Sequence, residues 1–152
     1  MLKQKIQADF ITAMKSKDEK TKLALSGLKA KITEAEKSKG NNELSDDDVI
    51  KVITSAIKQR KQSVDEFIRG NRLDLVQKEQ SEIDVLERYL PKQMTEQEIE
   101  IAVKEILSEF DAGTNKQRLV GQTIGTFNKK FTGRADNSLV KQIVERITNE
   151  TV

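Results

Sequence analysis

Arg118, Lys129, Lys130, Arg134 and Lys141 are the residues whose types and spacing best suit contact with an anion, and Gly121, Gly125 and Gly133 lie among them. In the run LVGQTIGTFNKKFTGRAD (119–136), Gly121 and Gly125 interrupt an apolar helical pattern, where each costs about 1 kcal/mol relative to alanine. At i, i+4 spacing they share one helix face, so another backbone can approach where a side chain would block it. Gln122 stands between them, and Gly133 is placed as the C′ residue that ends the helix. The chemistry implied is phosphate neutralisation without base reading, which suits structured RNA, because RNA duplexes are recognised mostly by shape and by their 2′-hydroxyls. Tight packing of the two glycines against a neighbouring helix of the same domain is the competing reading. Single-stranded base stacking is poorly supplied by one Tyr, no Trp and phenylalanines at core spacing.

Other chemistry is sparse. The chain has no histidine and no cysteine, which removes thiol chemistry, disulfides, Ser-His and Cys-His nucleophilic sites and histidine-based metal sites. Glu79, Glu82, Asp84 and Glu87 match a solvated helix face better than an acid-base or metal cluster, since no Glu-x-x-His pair accompanies them. In KQRKQSVDEF (58–67), Arg60 lies one turn from Ile57 and from Val64 and is expected to be half-buried, paired with a carboxylate such as Glu82 or Asp74. Asp65 and Arg69 have i, i+4 ion-pair spacing. No glycine-rich loop ends in Gly-Lys-Ser/Thr, so a P-loop is absent. No catalytic residue, cofactor or metal is expected.

The net charge of +2 hides an uneven distribution. Residues 112–146 carry seven bases against two acids, while residues 94–111 carry one lysine against six acids. The mean hydropathy of −0.62 and the short apolar runs leave no membrane span, and MLKQKIQADF lacks the apolar core of a signal peptide, so the expectation is a cytoplasmic protein.

Helical periodicity must position these groups, and no strand alternation competes with it. The chain reads as all-α. Leu2, Ile6, Phe10 and Ala13 define a first helix fraying near Lys15 to Lys17. Leu25, Leu28, Ile32 and Ala35 define a second, stopped by Ser38 to Asn42. A capping box at Ser45 and Asp48 opens a long third helix that Gly70 ends, and Asn71 with Asp74 starts a fourth. The short loop between them predicts an antiparallel hairpin. Pro91 in Tyr89-Leu90-Pro91 suggests a boundary between an N-terminal helical domain (1–91) and a small C-terminal three-helix bundle (92–152). The bundle would comprise a helix capped at Thr95 and Glu98, a turn at Asp111 to Thr114, the glycine-bearing helix, and a last helix from near Asp136.

KQRKQSVDEF, RLDL (72–75), the stretch from Glu82 to Met94 containing RYLPKQM, and LVGQTIG followed by GRADNSLVKQIV together resemble the YqeY family over nearly the whole chain. They are also similar to the tail of the GatB subunit of the glutamine-dependent aspartyl/glutamyl-tRNA amidotransferase. The chain departs from the family pattern at Gln122 and Ile124, where Lys and Met are common. The resemblance implies an all-helical protein whose C-terminal domain helps hold tRNA near the outer corner of its L shape. It thereby gives a contact role to Gly121, Gly125, Gly133 and the bases beside them. The expected partner is tRNA or another structured RNA. A protein-interaction adaptor using the same glycine face, and an accessory role in glutamine-dependent amidation, a carbon-nitrogen ligase activity, are the alternatives.

Overall fold

The computed structural model describes residues 1–111 and 113–150 and is all-helical among them. The helices are α1 (Leu2–Lys15), α2 (Glu19–Ser38), α3 (Asp46–Arg69), α4 (Leu73–Glu87), α5 (Glu96–Ser108), α6 (Lys116–Lys130) and α7 (Asn137–Glu150). The chain divides into two compact units, Met1–Leu90 and Pro91–Val152.

Local chemistry sets most helix starts. Ser45 Oγ accepts from Asp48 N at 3.2 Å to open α3, and Thr95 Oγ1 accepts from Glu98 N at 3.2 Å to open α5. Asp18 caps α2 through Thr21 N, and Asn115 caps α6 by accepting from Gln117 N at 2.9 Å. The start of α4 differs from the sequence expectation. Its N-cap position is Arg72, with no side-chain cap, while Asn71 adopts φ +55° and turns the chain. Gly70 ends α3 at an ordinary φ of −83°, so the left-handed residue of this corner is the asparagine.

In the N-terminal unit α3 packs along α4, and α2 packs on α1, α3 and α4. Ile6, Leu25, Leu28, Val49, Ile53, Ile83 and Leu86 form the centre of its core. Arg60 reaches from α3 to Glu79 and Glu82 of α4, making a 3.2 Å bond to Glu79 and a closer one to Glu82. Its guanidinium also lies beside Gly27 of α2, where a Cβ would stand 3.5 Å from Nη2. Glu82 is therefore buried, at 8% exposure, which corrects its reading as part of a solvated face. Asp84 and Glu87 are exposed as expected. The Asp65 to Arg69 ion pair does not form among the described residues.

In the C-terminal unit α5, α6 and α7 pack on one another around Ile99, Val103, Ile106, Phe127, Val140, Val144 and Ile147. Phe127 is 1% exposed, and burying such a side chain contributes about 2–3 kcal/mol. The turn expected at Asp111 to Thr114 includes Ala112, which lies outside the described residues. On either side of it, Thr114 N donates to Asp111 O at 3.1 Å.

Candidate functional site

The direction in which α6 points its glycines is decided by its apolar side. Thr123 and Phe127 are fully buried, and Val120, Ile124 and Phe131 pack against the same core. At 100° per residue, Arg118, Gly121, Gln122, Gly125 and Lys129 occupy about 100° of arc on the opposite side. Gly121 and Gly125 are exposed, and a Cβ added to either would meet nothing within 4 Å. Packing within the bundle therefore does not account for them. No interaction among the described residues offsets the helix cost of these two positions.

The charges separate into two groups. Arg118 and Lys129 flank the glycines on the exposed face and form no ion pair among the described residues; the Gln122 side chain makes no hydrogen bond there. Lys141 on α7 is also exposed and unpaired among the described residues. Lys130 points away from this face and pairs with Glu109 at 3.7 Å. Arg134 is committed within the unit: its Nε donates to Lys92 O at 3.0 Å, its carbonyl accepts from Met94 N at 2.8 Å, and its guanidinium lies 5.8 Å from the Phe131 ring centre.

Gly133 has a different role from the other two glycines. The helix ends earlier than the sequence suggests, with Phe131 as its C-cap, so Gly133 sits two residues beyond the cap rather than one. Its φ of +72° requires glycine or a strained substitute, and its carbonyl accepts from Gln93 Nε2 at 2.8 Å. Gly133 and Arg134 thus hold the segment 92–94 against the α6–α7 turn. The sequence-predicted set resolves into an exposed face of Arg118, Gly121, Gln122, Gly125 and Lys129, a structural pair in Gly133 and Arg134, and two outlying lysines.

Polar residues that sequence reasoning does not bring together are Lys5, Asp9, Arg88 and Tyr89 of the N-terminal unit, which line one cleft. Tyr89 donates its hydroxyl to Asp9 Oδ2 at 2.6 Å. Burial, followed by this carboxylate bond, pushes the phenol well above its ordinary value. Of this arrangement, only the i, i+4 spacing of Lys5 and Asp9 is visible in the sequence.

A family model described as Yqey-like protein matches residues 3–147. The chain is 31% identical over 146 residues to altered inheritance of mitochondria protein 41, mitochondrial, of Pyrenophora tritici-repentis, covering 94% of this chain and 78% of that protein. It is 33% identical over 107 residues to the protein of the same name from Lachancea thermotolerans, covering 69% of this chain and 57% of the relative. The Saccharomyces cerevisiae protein of that name is 31% identical over 154 residues, covering 92% and 82% respectively. These relatives are named as mitochondrial, which overturns the cytoplasmic expectation. That expectation rested on hydropathy, which reports the solvent a surface faces and does not distinguish one aqueous compartment from another. Taken with the all-helical architecture, the match over residues 3–147 establishes that the chain belongs to the YqeY-like family.

Proposed function

We propose that the C-terminal unit is a non-catalytic module that binds structured RNA, with tRNA as the ligand, through the exposed face of α6. The observation that carries this reading is the pair Gly121 and Gly125, whose absent side chains face open space, with Arg118 and Lys129 on the same face and without an ion pair among the described residues. A smooth helix surface lets a sugar-phosphate backbone come close, and the flanking cations neutralise phosphates there. The likeness of this segment to the tail of the GatB amidotransferase subunit supports the choice of tRNA. Arg134 and Lys130 contribute less, because each is engaged within the protein.

Titrating the full chain against tRNA at two salt concentrations tests the proposal. Arg118→Glu with Lys129→Glu is expected to weaken binding and to lower the salt slope by about 2, roughly one for each phosphate no longer neutralised. Absence of tRNA binding by the unaltered chain, or an unchanged slope in the double variant, refutes it. A stoichiometric protein partner that survives nuclease and high salt would assign the face to protein docking instead.

A further inference from the structure

The N-terminal unit holds a cleft of about 340 Å³ lined by α1, the α1–α2 turn and the end of α4. Four charged residues stand around it: Lys5 and Asp9 of α1, Asp18 at the N-cap of α2, and Arg88 at the C-cap of α4. Lys5 and Asp9 have the i, i+4 spacing at which opposite charges usually pair, yet they form no ion pair among the described residues. Asp9 instead turns Oδ2 to the Tyr89 hydroxyl, and the Lys5 ammonium lies 5.7 Å from the centre of the same ring. Asp18 is spent in the same way, accepting from Thr21 N at 3.2 Å and Thr21 Oγ1 at 2.7 Å. Arg88 lies close enough to act on the Asp18 charge but makes no ion pair with it.

Two cations and two carboxylates of zero net charge are thus held apart across one polar cleft. Among the described residues the cations keep their side-chain donors unspent, and Asp9 keeps Oδ1 without a hydrogen bond. A simple anion entering the cleft meets both carboxylates, and a simple cation meets both bases. A molecule carrying an ammonium and a carboxylate on one carbon complements the two bases and Asp9 at once. We propose that this cleft binds a free α-amino acid, with Lys5 and Arg88 holding its carboxylate and Asp9 its ammonium. Thr12, Ala13 and Thr21 form walls of the cleft, and its volume lies in the usual range for small-molecule sites. The site lies wholly within the N-terminal unit and does not depend on the RNA reading. A ligand this small in an open cleft is expected to bind with Kd on the order of 1 mM.

The test is a residue-resolved NMR titration of the full chain with L-alanine, N-acetyl-L-alanine and L-alaninamide. Alanine is expected to move the amide resonances of Asp9, Thr12, Thr21 and Tyr89 saturably. Each capped derivative, lacking one charge, should bind about tenfold more weakly. Asp9→Asn keeps an acceptor for Tyr89 while removing the charge, and Arg88→Gln alters an exposed side chain; each should weaken alanine binding by about tenfold. If Asp9→Asn fails to fold, Arg88→Gln decides the question. Unmoved resonances, equal binding of the capped derivatives, or wild-type affinity in Arg88→Gln overturns the proposal.

Discussion

Replacing Gly121 and Gly125 by alanine should make the C-terminal unit more stable while weakening its binding to RNA. Each glycine lies inside α6, and an added methyl group would meet nothing within 4 Å, so no steric term opposes the substitution. The remaining effect is helix propensity and unfolded-chain entropy, about 0.4–1 kcal/mol per site. The double variant should therefore gain about 1–2 kcal/mol, which for a unit of this size raises Tm by roughly 5–15 °C. The chain has no tryptophan and its one tyrosine, Tyr89, belongs to the other unit, so residue-resolved hydrogen exchange is the suitable assay. Protection of the Phe127 amide should rise roughly five- to thirtyfold. Gly133→Ala is the contrasting case, because φ +72° costs about 1–2 kcal/mol for any residue with a Cβ. In parallel, the two methyls on the smooth face should reduce tRNA affinity. Lower protection in the double variant would refute the outward orientation of the glycines, and unchanged tRNA affinity would refute close backbone approach there.

Arg60→Ala leaves Glu79 and Glu82 without their shared partner in a site where the Glu82 side chain is 11% exposed. Fully buried pairs cost 3–5 kcal/mol to break, and partial exposure reduces the expected loss to about 2–3 kcal/mol in a urea melt followed by Tyr89 fluorescence. The Glu36 carboxyl is held below its ordinary 4.5, first by the Lys3 ammonium at 2.8 Å and then by Leu44 N at 3.1 Å. Because its folded value is lowered, its contribution to stability is present above 4.5 and disappears as pH falls through the folded value. Glu36→Gln should therefore flatten the acid side of the urea-midpoint profile, and an unchanged profile would refute this assignment. Thr123 is fully buried and its Oγ1 has no hydrogen-bond partner among the described residues, so Thr123→Val should stabilise the C-terminal unit by about 1 kcal/mol, measured by exchange at Phe127.

Features carried by neighbouring residues are the most legible in the sequence. Ser45 and Thr95 announce helix starts because the capping hydroxyl and the amide it accepts from lie three residues apart. Asn71 misleads, since it is an equally good cap and an equally good left-handed residue, and the short corner after α3 selects the second use. Glu82 is read in the sequence both as part of a solvated face and as a partner of a half-buried Arg60, and the second reading holds, across 22 residues and two helices. The Tyr89 to Asp9 bond spans 80 residues and no local pattern encodes it. In the candidate site, spacing alone places Gly121 and Gly125 on one face. Whether that face turns inward or outward depends on Thr123 and Phe127 claiming the core side of α6.

The ties from Lys92, Gln93 and Met94 to Gly133 and Arg134 determine where the polypeptide can be cut. A fragment beginning at Thr95 would retain the cap of α5 and all three helices of the C-terminal unit. It would nevertheless lose the donor to Gly133 O, the donor to Arg134 O and the carbonyl that receives Arg134 Nε. A fragment beginning at Pro91 keeps all three. Residues 91–94, which belong to no helix, are therefore part of the smallest piece that can be excised with the α6–α7 corner intact.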